Sequence, residues 1–119
     1  MKFTYAFDQL RDIEENQHLR YMNYQWSVEN YGPIDQSRYF TADYGVIEAD
    51  SEKAACEKLF HMYNSDAMPA GYTGRYMSVS DIVNLWDYDN EDAPKTSWFC
   101  DSFGFVKLEA PEEEDHERR

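Results

Sequence analysis

Basic residues are scarce in this chain: 11 Lys plus Arg stand against 24 Asp plus Glu, a formal net charge of −13 over 119 residues. That shortage argues against direct DNA or RNA binding and against attachment to anionic membranes, which both need positive charge. Cysteines number two, Cys56 and Cys100, too few for a disulfide scaffold, so a reducing cytoplasm with free thiols is expected. No apolar run approaches the roughly 20 residues that span a bilayer. Met1–Leu10 has no basic start followed by an apolar stretch, so no secretory leader is expected there. With three scattered His beside the two Cys, no zinc-ligand spacing arises. Phosphate loop, nucleophile elbow and dinucleotide fingerprint are all missing, so nothing argues for catalysis and no cofactor is expected.

What the chain has in excess is aromatic side chains, 10 Tyr, 7 Phe and 3 Trp. Many acidic chains stay unfolded for want of apolar surface; this one has the material for a core, and its length fits one domain. The acidity is spread. Residues 109–119 hold six acids and two bases, net −4, leaving −9 on residues 1–108. A single α+β domain over 1–108 is therefore expected, followed by a disordered acidic tail over 109–119 that has no apolar anchor.

Lys2–Phe7 places Phe3, Tyr5 and Phe7 on one face, the alternation of a half-buried strand. Arg11–His18 is polar and reads as a loop or frayed turn. Asn23–Tyr31 predicts a short helix with Asn23 as N-cap and Gly32-Pro33 as its stop. Tyr39–Ala49 favours a strand, open to a break near Asp43. Asp50 or Ser51 then caps the main helix, Glu52–Asn64, whose Ala55, Cys56, Leu59, Phe60, Met62 and Tyr63 follow helical spacing. Asp66–Gly74 is punctuated as a loop. A turn at Ser78–Ser80 leads into a strand Asp81–Trp86, the acidic Asp87–Thr96 forms a hairpin connection, and Ser97–Leu108 reads as the last strand. The predicted architecture is a small, mostly antiparallel sheet with one main helix packed on it.

Gly74-Arg75-Tyr76-Met77-Ser78-Val79-Ser80-Asp81-Ile82-Val83, followed by Trp98-Phe99-Cys100-Asp101-Ser102-Phe103-Gly104-Phe105, resembles the YodL-like domain family. That family reads roughly as G-[RH]-S-[LM]-S-V-S-D-[VI]-V, a variable insert, then Y-[VC]-D-S-[FVI]-G-F. This chain departs from the pattern at Tyr76, where Ser is usual, and in the long acidic insert Asp87–Thr96. The resemblance implies a small domain of plasmids, conjugative elements or phages of Gram-positive bacteria, and it brings no catalytic residues with it. Read physically, Ser80, Asp81, Asp101 and Ser102 are short polar side chains suited to satisfying backbone donors in turns. Gly104 permits a bulge or a close backbone approach.

Other chemistry is weak. Cys56 and His61, five apart on a helix, do not share a face. Cys100 beside Asp101 should be raised, not activated. Asp87-Tyr88-Asp89-Asn90-Glu91-Asp92 begins like a calcium loop, but Asp92 stands where an EF-hand needs Gly and Trp98 where it needs Glu. Tyr21, Tyr24, Trp26, Tyr31 and Tyr39 are interleaved with acids and amides, a mixture suited to gripping Arg and Lys of a protein partner. Together these features predict a non-catalytic protein that occupies the basic nucleic-acid groove of a host defence complex, of CRISPR-effector or restriction type, by presenting carboxylates in place of phosphates. The expected contact residues are Asp87, Asp89, Glu91 and Asp92, with Asp43, Glu48 and Glu29 next. The alternative is an accessory interaction module of a plasmid replication or conjugation system, docking through an aromatic patch or sheet edge; a metal-dependent hydrolase is a third, more distant reading.

Overall fold

The computed structural model describes residues 1–65, 68–90 and 92–109. Five strands form one antiparallel sheet: β1 (Lys2–Leu10), β2 (Tyr39–Glu48), β3 (Ile82–Asp87), β4 (Thr96–Cys100) and β5 (Phe105–Leu108), in spatial order β2-β1-β3-β4-β5. Two α-helices, α1 (Tyr24–Tyr31) and α2 (Glu52–Met62), complete an α+β domain. The expected fold class is the one observed.

Alternation along β1 decides what each face of the sheet does. Phe3, Tyr5 and Phe7 are buried with Ile47, Val83, Leu85 and Cys100, and α2 closes this face with Ala55, Cys56, Leu59 and Tyr63. Burying a side chain such as Leu59 contributes about 1.5–3 kcal/mol. α2 starts where the Ser51 side chain accepts from the Ala54 N–H at 3.1 Å and ends two residues sooner than its apolar spacing suggests. The opposite face is only half covered. The excursion between β1 and β2 lays Leu19, Tyr24 and Ile34 over Leu10, Tyr39, Ile82 and Phe99. Within it α1 is capped as expected, Asn23 accepting from the Trp26 N–H at 2.7 Å, and Gly32 ends it at φ +82°. The polar stretch taken for a loop contains a 3₁₀ segment, Glu14–Leu19.

Two expectations about the strands need refinement. The break near Asp43 is a bulge: Phe7 faces Asp43 while Asp8 faces Thr41, so Ala42 is the extra residue. Ser97–Leu108 is two strands, not one. A turn over Asp101–Gly104 reverses the chain, the Asp101 N–H donating to the Gly104 carbonyl at 2.8 Å and the Ser102 N–H to Asp101 Oδ1 at 2.9 Å. Gly104 adopts φ +87°, which only glycine reaches without strain. Asp101 therefore lies just past the end of β4 and not inside a continuous strand, and Phe103, at the tip, is 98% exposed. The expected disorder beyond residue 109 lies outside the described residues.

Candidate protein-binding surface

The Ser- and Asp-rich motif builds a buried knot of hydrogen bonds. Asp81 Oδ2 accepts from the Ser78 N–H at 2.8 Å and from Gln9 Nε2 at 3.2 Å. Burial pushes the Asp81 carboxyl up to about 7, against the pull of these donors and of Arg75 and Arg20. Ser80, held at φ +87°, accepts the Tyr21 N–H on its hydroxyl and the Tyr39 hydroxyl on its carbonyl. Asp101 Oδ1 also accepts the Tyr24 N–H at 3.0 Å, tying α1 to the last turn. The side chains of Ser80, Asp81 and Asp101 each have a partner inside the fold, so the motif acts as a structural clasp between β3, β4 and the excursion.

The two thiols are buried. Burial is the main reason both rise, Cys100 to about 12, with Asp81 and Asp101 adding to it; the neighbouring carboxylate foreseen for Cys100 is the lesser cause. Among the described residues no group of three or more His, Cys, Asp or Glu is placed to hold a metal ion.

The acids singled out from the sequence fall in three places. Asp87, Asp89 and Asp92 lie together at the turn joining β3 to β4, where Asp87 Oδ1 accepts the Asp89 N–H at 2.9 Å. Glu48 lies at the same end of the sheet, opposite Lys2, while Asp87 faces Phe3 on the other side of β1. Cations share that end: Lys2 sits over the Tyr88 ring and Lys58 donates to the Glu48 carbonyl. Asp43, at the bulge, is half buried and accepts the Tyr63 hydroxyl at 2.6 Å, with Tyr5 hydrogen-bonded behind it. Glu29 lies apart on α1, accepting from Gln25 at 3.0 Å. Glu91 lies outside the described residues. Of the tyrosines, Tyr39 is buried, whereas Tyr21 and Tyr31 are exposed.

A surface that sequence reasoning did not single out is the uncovered half of the sheet. Thr4 is flanked by Val46 and Trp86, and the next row of that face places Ala6 between Tyr44 and Asn84. Tyr44 is 75% exposed, Val46 51% and Trp86 37%. Small residues in the middle strand thus form a floor between two projecting rings. Asp8 closes this floor, accepting from Thr41 Oγ1 at 2.8 Å and Asn84 Nδ2 at 2.9 Å, and Ser97 in turn donates to Asn84. Burial raises the Asp8 carboxyl and those donors, with Lys95 nearby, oppose it. Lys95 also lies 6.0 Å from the Trp86 ring centre, so a cation already visits one wall of the surface. The signal was present in the alternation of β1, whose even positions Thr4, Ala6 and Asp8 are small or polar.

No helix among the described residues is long and apolar enough to cross a membrane. Comparison with curated proteins and with solved structures found no match. The family model of the YodL-like domain matches residues 4–110, nearly the whole folded body, and the chain belongs to that family.

Proposed function

We propose that this YodL-like domain works by non-covalent binding, not catalysis, and that it docks a basic protein surface on the uncovered half of its sheet. Tyr44 and Trp86 are the anchors, Thr4 and Ala6 the floor, and Asp8 the carboxylate that meets an incoming Arg or Lys. Glu48, Asp87, Asp89 and Asp92 lend negative charge around the sheet end and speed encounter with a cationic partner. The observation that carries the reading is the pair of exposed rings flanking a small-residue floor beside Asp8, in a chain of net charge −13. Cation–π contacts of this kind contribute about 0.5–1 kcal/mol each at exposed sites and more once desolvated. The partner class is a basic, nucleic-acid-binding protein of the host cytoplasm, and the mobile-element setting implied by the family favours a defence complex of CRISPR-effector or restriction type. An accessory role in plasmid replication or conjugation would use the same surface.

A second reading rests on the turn after β3, where Asp87, Asp89 and Asp92 gather three carboxylates in one short segment that would stand in for phosphates. The two readings separate in one experiment: capture from a bacterial lysate at low and high salt, with wild type, Tyr44→Ala/Trp86→Ala and Asp89→Asn/Asp92→Asn. Docking through the sheet predicts a partner that survives high salt and is lost with the ring variant. Phosphate mimicry predicts a partner lost at high salt and with the carboxylate variant, since screening at roughly molar salt shortens electrostatic reach to about 3 Å. A partner indifferent to both variants overturns both.

A further inference from the structure

A cavity of about 200 Å³ lies between the excursion and the covered half of the sheet, lined by Leu19, Ile34, Tyr39 and Phe99 on its apolar side. Ser27 of α1 lines it too and is only 3% exposed, which places a hydroxyl-bearing side chain on the inner wall. Arg38 and Asp35 are also in the lining. Arg38 uses Nη1 for Asn16 Oδ1 and the Glu15 carbonyl, leaving Nη2 and Nε without protein acceptors among the described residues. Asp35 accepts the Ser37 N–H and hydroxyl on Oδ1, and these bonds hold its carboxyl below the ordinary range, so it is ionised. Asp35 and Arg38 lie three residues apart but form no ion pair among the described residues.

From this arrangement we infer that the cavity is a binding site for a small zwitterion with an apolar side chain, of the class of a free aromatic or branched amino acid. Its carboxylate meets the Arg38 guanidinium, its ammonium meets Asp35, and the Ser27 hydroxyl takes the remaining hydrogen bond. Volume supports the class: an apolar cavity of about 150 Å³ holds one benzene ring, so this one accommodates a ring plus a few polar atoms. It is smaller than the roughly 300–1,000 Å³ typical of drug-sized ligands. Half-buried Arg38 and exposed Asp35 set opposite charges at the edge of an apolar wall, an arrangement that matches a ligand carrying both signs at one end.

The test titrates L-phenylalanine, phenylacetate, phenethylamine and toluene into isotope-labelled full-length protein, following backbone amide shifts by NMR. L-phenylalanine is expected to shift Leu19, Ile34 and Arg38 saturably. Removing either charge from the probe should weaken binding about tenfold, since hydrogen bonds to charged groups are the strong ones. Ser27→Ala, which suits a helix and should fold, is expected to weaken L-phenylalanine about fivefold. Absence of saturable shifts overturns the site. Equal affinity for all four probes, or for wild type and Ser27→Ala, overturns the zwitterion assignment.

Discussion

Asp81→Asn should stabilise the protein progressively, relative to wild type, as pH rises from about 4 to 7. The Asp81 carboxyl titrates at about 7 in the fold against an ordinary 3.8, because burial penalises its charged form more than Ser78, Gln9, Arg75 and Arg20 favour it. A carboxyl raised in the native state binds its proton there while the unfolded chain has already released it. Wild-type stability from this group is therefore complete below about pH 4, falls through the window, and levels off above pH 7. Three pH units at about 1.4 kcal/mol each give roughly 4 kcal/mol as the full span. Asparagine has no proton to lose, and the loss or gain of any hydrogen bond in the variant is independent of pH. The difference between the two stability curves thus isolates the titration, and the large common background of acidic residues cancels. Urea unfolding followed by tryptophan fluorescence at several pH values measures it. A difference constant to within about 0.5 kcal/mol across the window would refute the reasoning; a difference of opposite sign would show that the donors at 2.8 and 3.2 Å outweigh burial.

Three further outcomes follow from local geometry. Ser51→Ala removes the side-chain acceptor for the Ala54 N–H at the start of α2 and should cost about 1 kcal/mol in urea unfolding. Gly104→Ala forces a β-carbon into φ +87° with open space around it, so its cost, about 1–2 kcal/mol, is conformational, and Gly104→Asn should recover part of it. Cys56 and Cys100, buried with raised thiols, should resist a thiol reagent at about pH 8 in the native protein, and both should react in urea; native labelling of either one would contradict the packing of α2 on the sheet.

The starts of both α-helices and the stop of α1 were legible because they depend on neighbours within one turn of chain, whereas α2 ends two residues before its expected stop. Asn23 and Ser51 cap as their side chains dictate, and Gly32 ends α1 as expected. Cys56 follows its helical spacing into the core. The hairpin through Asp87–Thr96 was readable from its acids and Pro94. The division of Ser97–Leu108 was less so: Asp101, Ser102 and Gly104 carry a turn signal, but flanking apolar residues made the run look continuous. Exposure was hardest to read. Tyr39 and Tyr44 belong to the same strand, yet one is covered by Ile34 and its neighbours and the other stands clear.

By itself the sequence determined the two α-helices and their N-caps, the first three strands, the main helical face and the family, since each is encoded in residues close together along the chain. Tertiary structure alone decided that Asp81 is buried against Gln9, that Asp43 is spent on Tyr63, and that Thr4 and Ala6 lie between two exposed rings. It also decided that Ser27 faces a cavity. These facts depend on pairing between segments tens of residues apart and on how far the excursion reaches across the sheet, and no local pattern of charge or hydropathy records where that cover ends.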